Sequence, residues 1–249
     1  MLDFIGTVVT ATLMVFAVNA VIVFMDISRF AKLALALAIG LWIGLSAAAG
    51  AAGMIAISKP FPFVGIFVAL PLFAAAIATS WPAVRSAMLS VPMPLMIGLN
   101  IGRIFAVLFF LLAAEGRLSG PFPVFAGWGD IITGVVAVPL LWLVNHEGTR
   151  RANVIAAWNL FGAADLALAI TLGVTSAEGS PLQVFAGPGS AAMQQLPWSF
   201  VPTVLVPFWL ILHAIISVQL RRRAPSIVNF TIGSFKTREY GVWPCLSQA

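Results

Sequence analysis

The chain alternates long apolar runs with short polar connections. A helix needs about 20 apolar residues to cross the hydrocarbon core of a bilayer, whereas the strands of a membrane barrel are about ten residues long and alternate in polarity. The runs have the length of helices and do not alternate. We therefore expect an all-α transmembrane bundle of seven helices, at residues 4–25, 33–57, 61–81, 94–114, 121–144, 152–174 and 199–220.

The connections between these runs are mostly short, so sequential helices should be antiparallel neighbours. Residues 175–198 are the exception, and their Gly, Ser and Pro content predicts an ordered loop or a lid. Pro71, Pro202 and Pro207 should kink their helices, because each lacks a backbone donor. Two helices carry glycines at a spacing that permits close helix packing, at Gly40 and Gly44 and at Gly98 and Gly102.

The composition excludes a soluble protein. Hydrophobic residues make up 61% of the 249 positions and charged residues only 8%, against about 25% charged in soluble domains. The net charge of +5 does not indicate nucleic-acid binding, because the basic residues lie between the apolar runs, where membrane topology accounts for them. The single Cys245 excludes an internal disulfide and a thiolate metal cluster. The first apolar run is too long for a signal peptide and is expected to be a retained helix.

The distribution of Lys and Arg predicts the orientation. With the N-terminus outside, ten basic residues lie on the inner side: Arg29, Lys32, Arg85, Arg150, Arg151, Arg221, Arg222, Arg223, Lys236 and Arg238. Only Lys59 and Arg117 then lie outside, so the positive-inside rule favours this orientation. Residues 1–223 are thus expected to form the transmembrane domain and residues 224–249 a cytoplasmic tail. Trp81 and Trp142 should lie near the inner interface and Trp198 near the outer one.

A few polar residues interrupt the apolar runs of the second half. An ionisable group inside a membrane is costly and is by default the hypothesis for a functional site. The candidate residues of this buried polar site are Asn100, Arg103, Asp130, Asn159, Asp165 and His213. Counted from the outer ends of their helices, Arg103, Asp130 and Asp165 share one depth. Asn19, Asn100, Asn159 and His213 are expected roughly 8 Å deeper, and Glu115 and Arg117 are expected to be solvated loop charges.

Charge balance limits how the three charged residues at this shared depth can pair. A lone charge in hydrocarbon is prohibitive, so Arg103 should form an ion pair with Asp130, Asp165 or both. One Arg faces two carboxylates, and the surplus carboxylate can take up a proton, bind a cation or meet water. Alternatively, these groups only cross-link the helices. His213 either forms an ordinary hydrogen bond to a facing Asn or carbonyl or binds a metal or haem, so no metal ligand set and no cofactor is assigned.

The second half also carries a resemblance to known proteins. It rests on RIFAVLFFLLAAEGRLSGPFPVFAGWGDIITG, WNLFGAADLALAITLG and VPTVLVPFWLILHA, which occur in that order within residues 103–214. These pieces resemble a family of bacterial polytopic membrane proteins of about seven helices, with GD, WN..G..DL and PT..VP….H motifs. The resemblance implies a multi-pass protein of the bacterial cytoplasmic (inner) membrane in which the polar positions matter. It implies no activity and no cofactor.

The buried polar residues favour a proton- or ion-linked carrier of a small solute, with Asp130 or Asp165 as the titrating group. Two alternatives stay open: an intramembrane metal-dependent enzyme acting on a lipid-like substrate, and a non-catalytic subunit of a larger membrane complex. Whether the chain is an enzyme is therefore undecided. The expected partners are the lipid bilayer, a small solute or ion, and other membrane proteins. The chain has no Walker loop, which excludes ATP-driven transport by this chain alone.

Overall fold

The computed structural model describes residues 1–57, 59–147 and 151–223, so the predicted tail lies outside the described residues. All regular structure in this part of the chain is helical. The α-helices are α1 (Leu2–Phe24), α2 (Arg29–Ala51), α3 (Phe63–Ala78), α4 (Pro82–Leu89), α5 (Met93–Leu99), α6 (Val107–Ala114), α7 (Phe122–Glu147), α8 (Ala152–Thr175) and α9 (Val206–Arg223). A 3-10 segment, Asn100–Ala106, joins α5 to α6, and a π-helical segment, Val201–Leu205, precedes α9.

Six helical stretches are long and apolar enough to cross a membrane: α1, α2, the run from α5 to α6, α7, α8, and the π-helical segment with α9. The chain is therefore a multi-pass membrane protein. The predicted run at 61–81 differs from the other six. Its helix α3 has 16 residues, about 24 Å at 1.5 Å per residue, which is short of a bilayer core of about 30 Å. The chain then bends by 109° into α4, and a seventh span exists only if α3 and α4 are counted together.

The helix α4 was not predicted, although a sequence signal for it exists. Pro82 occupies its first turn, where the missing N–H costs nothing, and Trp81 precedes it in extended conformation. The bend between α3 and α4 thus falls at a residue that can begin a helix but cannot continue one.

Helix α7 is central to the bundle, because it packs against the 3-10 segment, α5, α6 and α8. The 3-10 geometry matters for what faces α7, since residues three apart lie in one row in such a helix. Asn100, Arg103 and Ala106 form this row, and all three are fully buried. The segment thereby directs its only charged side chain into the bundle.

Proline accounts for the second irregular segment. Pro202 lies in the π-helical segment, and Pro207 follows in α9. Pro207 has no backbone N–H, so it cannot donate the helical hydrogen bond to the carbonyl of Thr203, four residues earlier. The indole Nε1 of Trp42 in α2 donates to this carbonyl instead, at 2.9 Å. A tertiary contact thus replaces the lost helical hydrogen bond, and it fastens α2 to the bundle where the predicted irregularity occurs.

The connection between α8 and the π-helical segment is an ordered loop. Ser119 N donates to the carbonyl of Gly189 (2.9 Å), and Gly189 N donates to Ser119 Oγ (2.8 Å). Ser190 Oγ donates to the carbonyl of Gly173 at 2.7 Å. Gly189 has φ +52°, and a Cβ there would overlap the carbonyl of Ser176, so only glycine fits. These bonds hold the loop across the ends of α6, α7 and α8.

Contacts at the helix ends and connections define two ends of the bundle. At the first, Asp3 binds Arg117, and we call it the Asp3 end. At the second, the N–H of Asp26 donates to Ser90 Oγ (2.8 Å), and we call it the Asp26 end. The described basic residues outside the bundle centre divide unequally: Arg29, Lys32, Arg85, Arg151, Arg221 and Arg222 lie at the Asp26 end, and Lys59 and Arg117 at the Asp3 end. Which end faces the cytoplasm remains a prediction.

Candidate functional site

Arg103 is the centre of a polar cluster inside the bundle. It is fully buried, and its Nε donates to Asp130 Oδ1 in α7 at 2.6 Å. Its Nη2 donates to Asp165 Oδ2 in α8, also at 2.6 Å. The predicted ion pair is therefore confirmed, and with both carboxylates rather than one. The shared depth of the three residues is what allows a single guanidinium to bind both acids.

The remaining guanidinium nitrogen binds two further acceptors. Arg103 Nη1 lies 3.3 Å from the carbonyl oxygen of Gly162 and 3.1 Å from His213 Nε2. The ring of Trp209 adds a cation–π contact, with its centroid 5.8 Å from Cζ. The guanidinium therefore has partners on α7, α8 and α9, and it joins three helices at one point.

The hydrogen bonds of Asn159 determine the protonation of His213. Asn159 Nδ2 donates to the carbonyl of His213 (3.0 Å) and to Ser217 Oγ (2.8 Å), so its Oδ1 is the acceptor. That oxygen lies 2.8 Å from His213 Nδ1, which must then carry the proton. Nε2 consequently offers a lone pair to Arg103. These contacts assign a neutral imidazole and leave the cluster with one positive and two negative formal charges.

Two glycines permit this close approach, and the sequence reasoning did not identify their role. A Cβ on Gly129 would overlap the carboxylate of Asp165, and a Cβ on Gly162 would lie 2.6 Å from His213 Cε1. Each glycine is near a site residue in the sequence, in GWGD and in NLFGAAD. That adjacency was the available signal, but only the packed helices show which neighbour each glycine accommodates.

The structure brings His213 into contact with Arg103 and changes the role of two asparagines. His213 contacts Arg103 directly, because the long arginine side chain spans the expected separation. Asn100 is fully buried but bonds the carbonyl of Met96 (2.9 Å) and none of the carboxylates. Asn19 is exposed and donates to the carbonyl of Val15 (2.7 Å), so it lies outside the cluster. Asn159, in contrast, belongs to the cluster through His213.

The metal-binding interpretation of His213 does not fit these contacts. In the described part of the chain, no three His, Cys, Asp or Glu residues are arranged to hold a metal ion. The guanidinium of Arg103 lies between the two carboxylates and the imidazole, where a shared ion would have to bind. Since Arg103 also carries positive charge, a cation at that point would have to displace it.

A second polar cluster lies at the Asp3 end and changes the expectation for Arg117. Asp3 Oδ1 accepts from Trp198 Nε1 (2.7 Å) and from Arg117 Nη1 (2.8 Å). Trp198 is fully buried against Gly6, so it is not an exposed interfacial residue. Arg117 is half-buried, with Glu115 Oε2 3.7 Å away, so it is a cross-link rather than a freely solvated loop charge.

A cavity of about 50 Å³ lies between the ordered loop at this end of the bundle and Asp130 of the central cluster. Its walls come mainly from apolar residues of α3, α6, α7 and α8 and from the π-helical segment. Its polar lining residues are Asp130 and, in the ordered loop, Ser190 and Gln194. One water needs at least about 10–15 Å³ of such volume, so the cavity has room for a few water molecules or one small ion.

Comparisons with known proteins add a family but no activity. Residues 60–221 match the family model described as "Domain of unknown function (DUF8737)". No curated protein matches the chain, and no solved structure matches it either. The matched range contains the whole Arg103 cluster and most of the bundle. The chain belongs to the DUF8737 family, as the match over this range shows.

Proposed function

We propose that the protein is a proton- or ion-linked carrier of a small solute, and that Asp130 or Asp165 is the group that binds and releases the coupling ion. The proposed membrane is the bacterial cytoplasmic (inner) membrane, with the Asp26 end inside and residues 224–249 as a cytoplasmic tail. Small solutes or ions, and the bilayer itself, are the proposed partners.

The charge of the Arg103 cluster carries this proposal. One guanidinium binds two carboxylates, the imidazole is neutral, and all of these groups are buried. An uncompensated charge in the interior is strongly unfavourable. A proton taken up by one carboxylate, or a cation bound to Asp130 from the cavity side rather than between the acids and Arg103, would balance this charge. Binding and release of that ion would change the charge at the junction of three helices.

The cavity supports access to this ion-binding group. Asp130 lines it at the centre of the bundle, and Gln194 lines it at the Asp3 end. A proton could reach Asp130 through water in this space, whereas a larger solute would require the cavity to widen. The irregular segments at Asn100–Ala106 and Val201–Leu205 lie beside the cluster and the cavity. Interrupted helices near the bilayer midplane are common at carrier binding sites.

Flux measurements test the proposal. Purified protein is reconstituted into liposomes that contain a pH-sensitive or a Na⁺-sensitive dye, and amino acids, sugars, organic acids and amines are added singly, with and without Na⁺. We expect one of these solutes to drive proton or Na⁺ movement in the native protein. Asp130→Asn and Asp165→Asn should abolish the coupled movement, since each removes one candidate ion-binding group.

Matched controls distinguish a variant that has lost transport from one that has lost its fold. Each single Asn variant leaves Arg103 with one carboxylate, so the charges balance and the fold should persist. Asp26→Asn removes an exposed carboxylate at the bundle end and should retain full flux. Equal flux in the native protein and both site variants would contradict the proposal. So would the absence of any response from a preparation that contains a stoichiometric metal or protein partner, which would favour the enzyme or the subunit.

A further inference from the structure

The short helix α4 has an unusual position for a helix of this bundle. It follows α3 after a bend of 109°, so it runs across the end of the bundle rather than along it. Its first half is exposed, and Trp81, immediately before it, is 58% exposed. Trp81, Val84 and Met88 follow the spacing of one helix face, and Arg85 is also exposed. This is the pattern of a helix lying in a membrane surface.

Hydrogen bonds bring other basic residues to the end of α4. Gln219 Nε2 in α9 donates to the carbonyls of Leu89 (3.1 Å) and Val91 (2.8 Å). The N–H of Asp26 donates to Ser90 Oγ on the other side. The C-terminal end of α4 is therefore fixed between the α1–α2 connection and the last turns of α9. These two neighbours carry three exposed arginines, Arg29, Arg221 and Arg222.

We propose that this surface, formed by α4 with Arg85 and by Arg29, Arg221 and Arg222, binds the headgroups of anionic phospholipids. The indole of Trp81 lies at the level of the headgroups, and Val84 contacts the acyl region, while the arginines bind phosphate. Asp26 and Glu147 are the only described acids at this end, against six basic residues, so the charge is complementary to an anionic leaflet. This proposal is independent of the transport function.

Brominated lipids test the contact directly, because bromine quenches indole fluorescence at short range. The full-length protein in phosphatidylcholine nanodiscs is titrated with dibrominated phosphatidylglycerol or with dibrominated phosphatidylcholine. The contribution of Trp81 is obtained by difference from Trp81→Phe. We expect half-maximal quenching of Trp81 at a lower mole fraction of phosphatidylglycerol than of phosphatidylcholine.

Charge variants test whether Arg85 contributes to the preference for phosphatidylglycerol. Arg85→Gln should raise the mole fraction of phosphatidylglycerol for half-maximal quenching by up to about fivefold, the effect of one basic side chain at an anionic surface. Lys59→Gln removes one exposed positive charge at the opposite end and should leave the titration unchanged. High salt should weaken the preference for phosphatidylglycerol in the native protein.

Several outcomes would overturn the proposal. One is the absence of Trp81 quenching by either lipid, because α4 would then not lie in the membrane surface. A second is equal quenching of Trp81 by the two lipids. A third is a loss of the preference for phosphatidylglycerol that is as large in Lys59→Gln as in Arg85→Gln. Soluble glycerol phosphate should not compete. If it displaces the brominated lipid, the surface binds free phosphate groups rather than a leaflet.

Discussion

Two Arg–Asp clusters in this protein have nearly the same contact geometry and very different surroundings. Arg103 binds Asp130 and Asp165 at 2.6 Å each, and the three side chains are 0%, 6% and 5% exposed. Arg117 binds Asp3 at 2.8 Å, but these side chains are 27% and 55% exposed. The first cluster joins helices at the centre of the bundle, and the second joins the first turn of α1 to the α6–α7 connection at its end.

The difference shows that distance alone does not determine what an ion pair contributes. Water can replace either partner at the Asp3 end, so loss of one group leaves the other solvated. At the centre the few water molecules for which the cavity has room cannot replace a lost guanidinium, and two buried carboxylates remain together. The central cluster should therefore respond strongly to changes that the end cluster tolerates.

The largest expected effect is that of Arg103→Ala. Removing one partner of a buried ion pair typically costs about 3–5 kcal/mol, so this variant should be poorly folded or much less heat-stable in detergent. Adding Asp165→Asn to Arg103→Ala should recover part of the loss, since one stranded charge is removed. Thermal unfolding of the purified variants checks this. A melting temperature close to native for Arg103→Ala would show that the central cluster is no different from the end cluster.

Glycine substitutions should have the next largest effect. Gly129→Ala and Gly162→Ala insert a methyl group against Asp165 and His213, and overpacking of this kind costs about 1–3 kcal/mol. Gly40→Ala is the matched control, because a Cβ at Gly40 in α2 meets no atom within 4 Å. Thermal unfolding should show a lower melting temperature for the two cluster variants and an unchanged one for the control. A loss in Gly40→Ala equal to theirs would contradict the packing argument.

Removal of the Asn159 amide should have a smaller effect, centred on His213. Asn159→Leu leaves His213 Nδ1 without its acceptor, which costs about 1–3 kcal/mol for a buried donor. Nitrogen NMR of labelled histidine should show the Nδ1–H tautomer in the native protein and a changed tautomer balance in the variant. An unchanged histidine spectrum would exclude Asn159 as the residue that orients the imidazole.

The smallest effect is expected at the Asp3 end. Arg117→Gln should lower stability by only about 0–1 kcal/mol, as for other partly exposed ion pairs, and high salt should reduce the difference further. Thermal unfolding at low and high salt measures both. A loss comparable to that of Arg103→Ala would mean that the end cluster is as dependent on its charges as the central one.

The sequence predicts the chemistry of the site better than its geometry. The pairing of Arg103 with the carboxylates follows from depth and charge, because no other Lys or Arg lies in the apolar runs. The role of Gly162 could not be predicted in the same way, since it depends on which residue of α9 faces α8. The burial of Trp198 could not be predicted, because the interfacial rule describes an average, whereas this indole bonds Asp3 and packs on Gly6.

The fold, too, can be predicted from the sequence only in part. Six spans follow from their length and hydrophobicity, because these quantities determine membrane insertion regardless of the neighbours. The bend before α4 and the 3-10 segment depend on how the helices pack. The sequence Asn100–Ala106 contains no proline, and its Gly102 weakens an α-helix without specifying 3-10 geometry. Its conformation is therefore a property of the assembled bundle.

The 3-10 segment also rotates α6 about the axis of their common span relative to the position that a continuous α-helix from α5 would give it. Seven residues at about 2.0 Å rise extend about 3.5 Å further than they would in an α-helix, and three residues per turn overwind them by about 140° in total. A helical wheel drawn through α5 cannot be continued into α6. The pitch of the segment that carries Arg103 thus selects which residues of α6 point inward, and these include the buried Phe109 and Leu112.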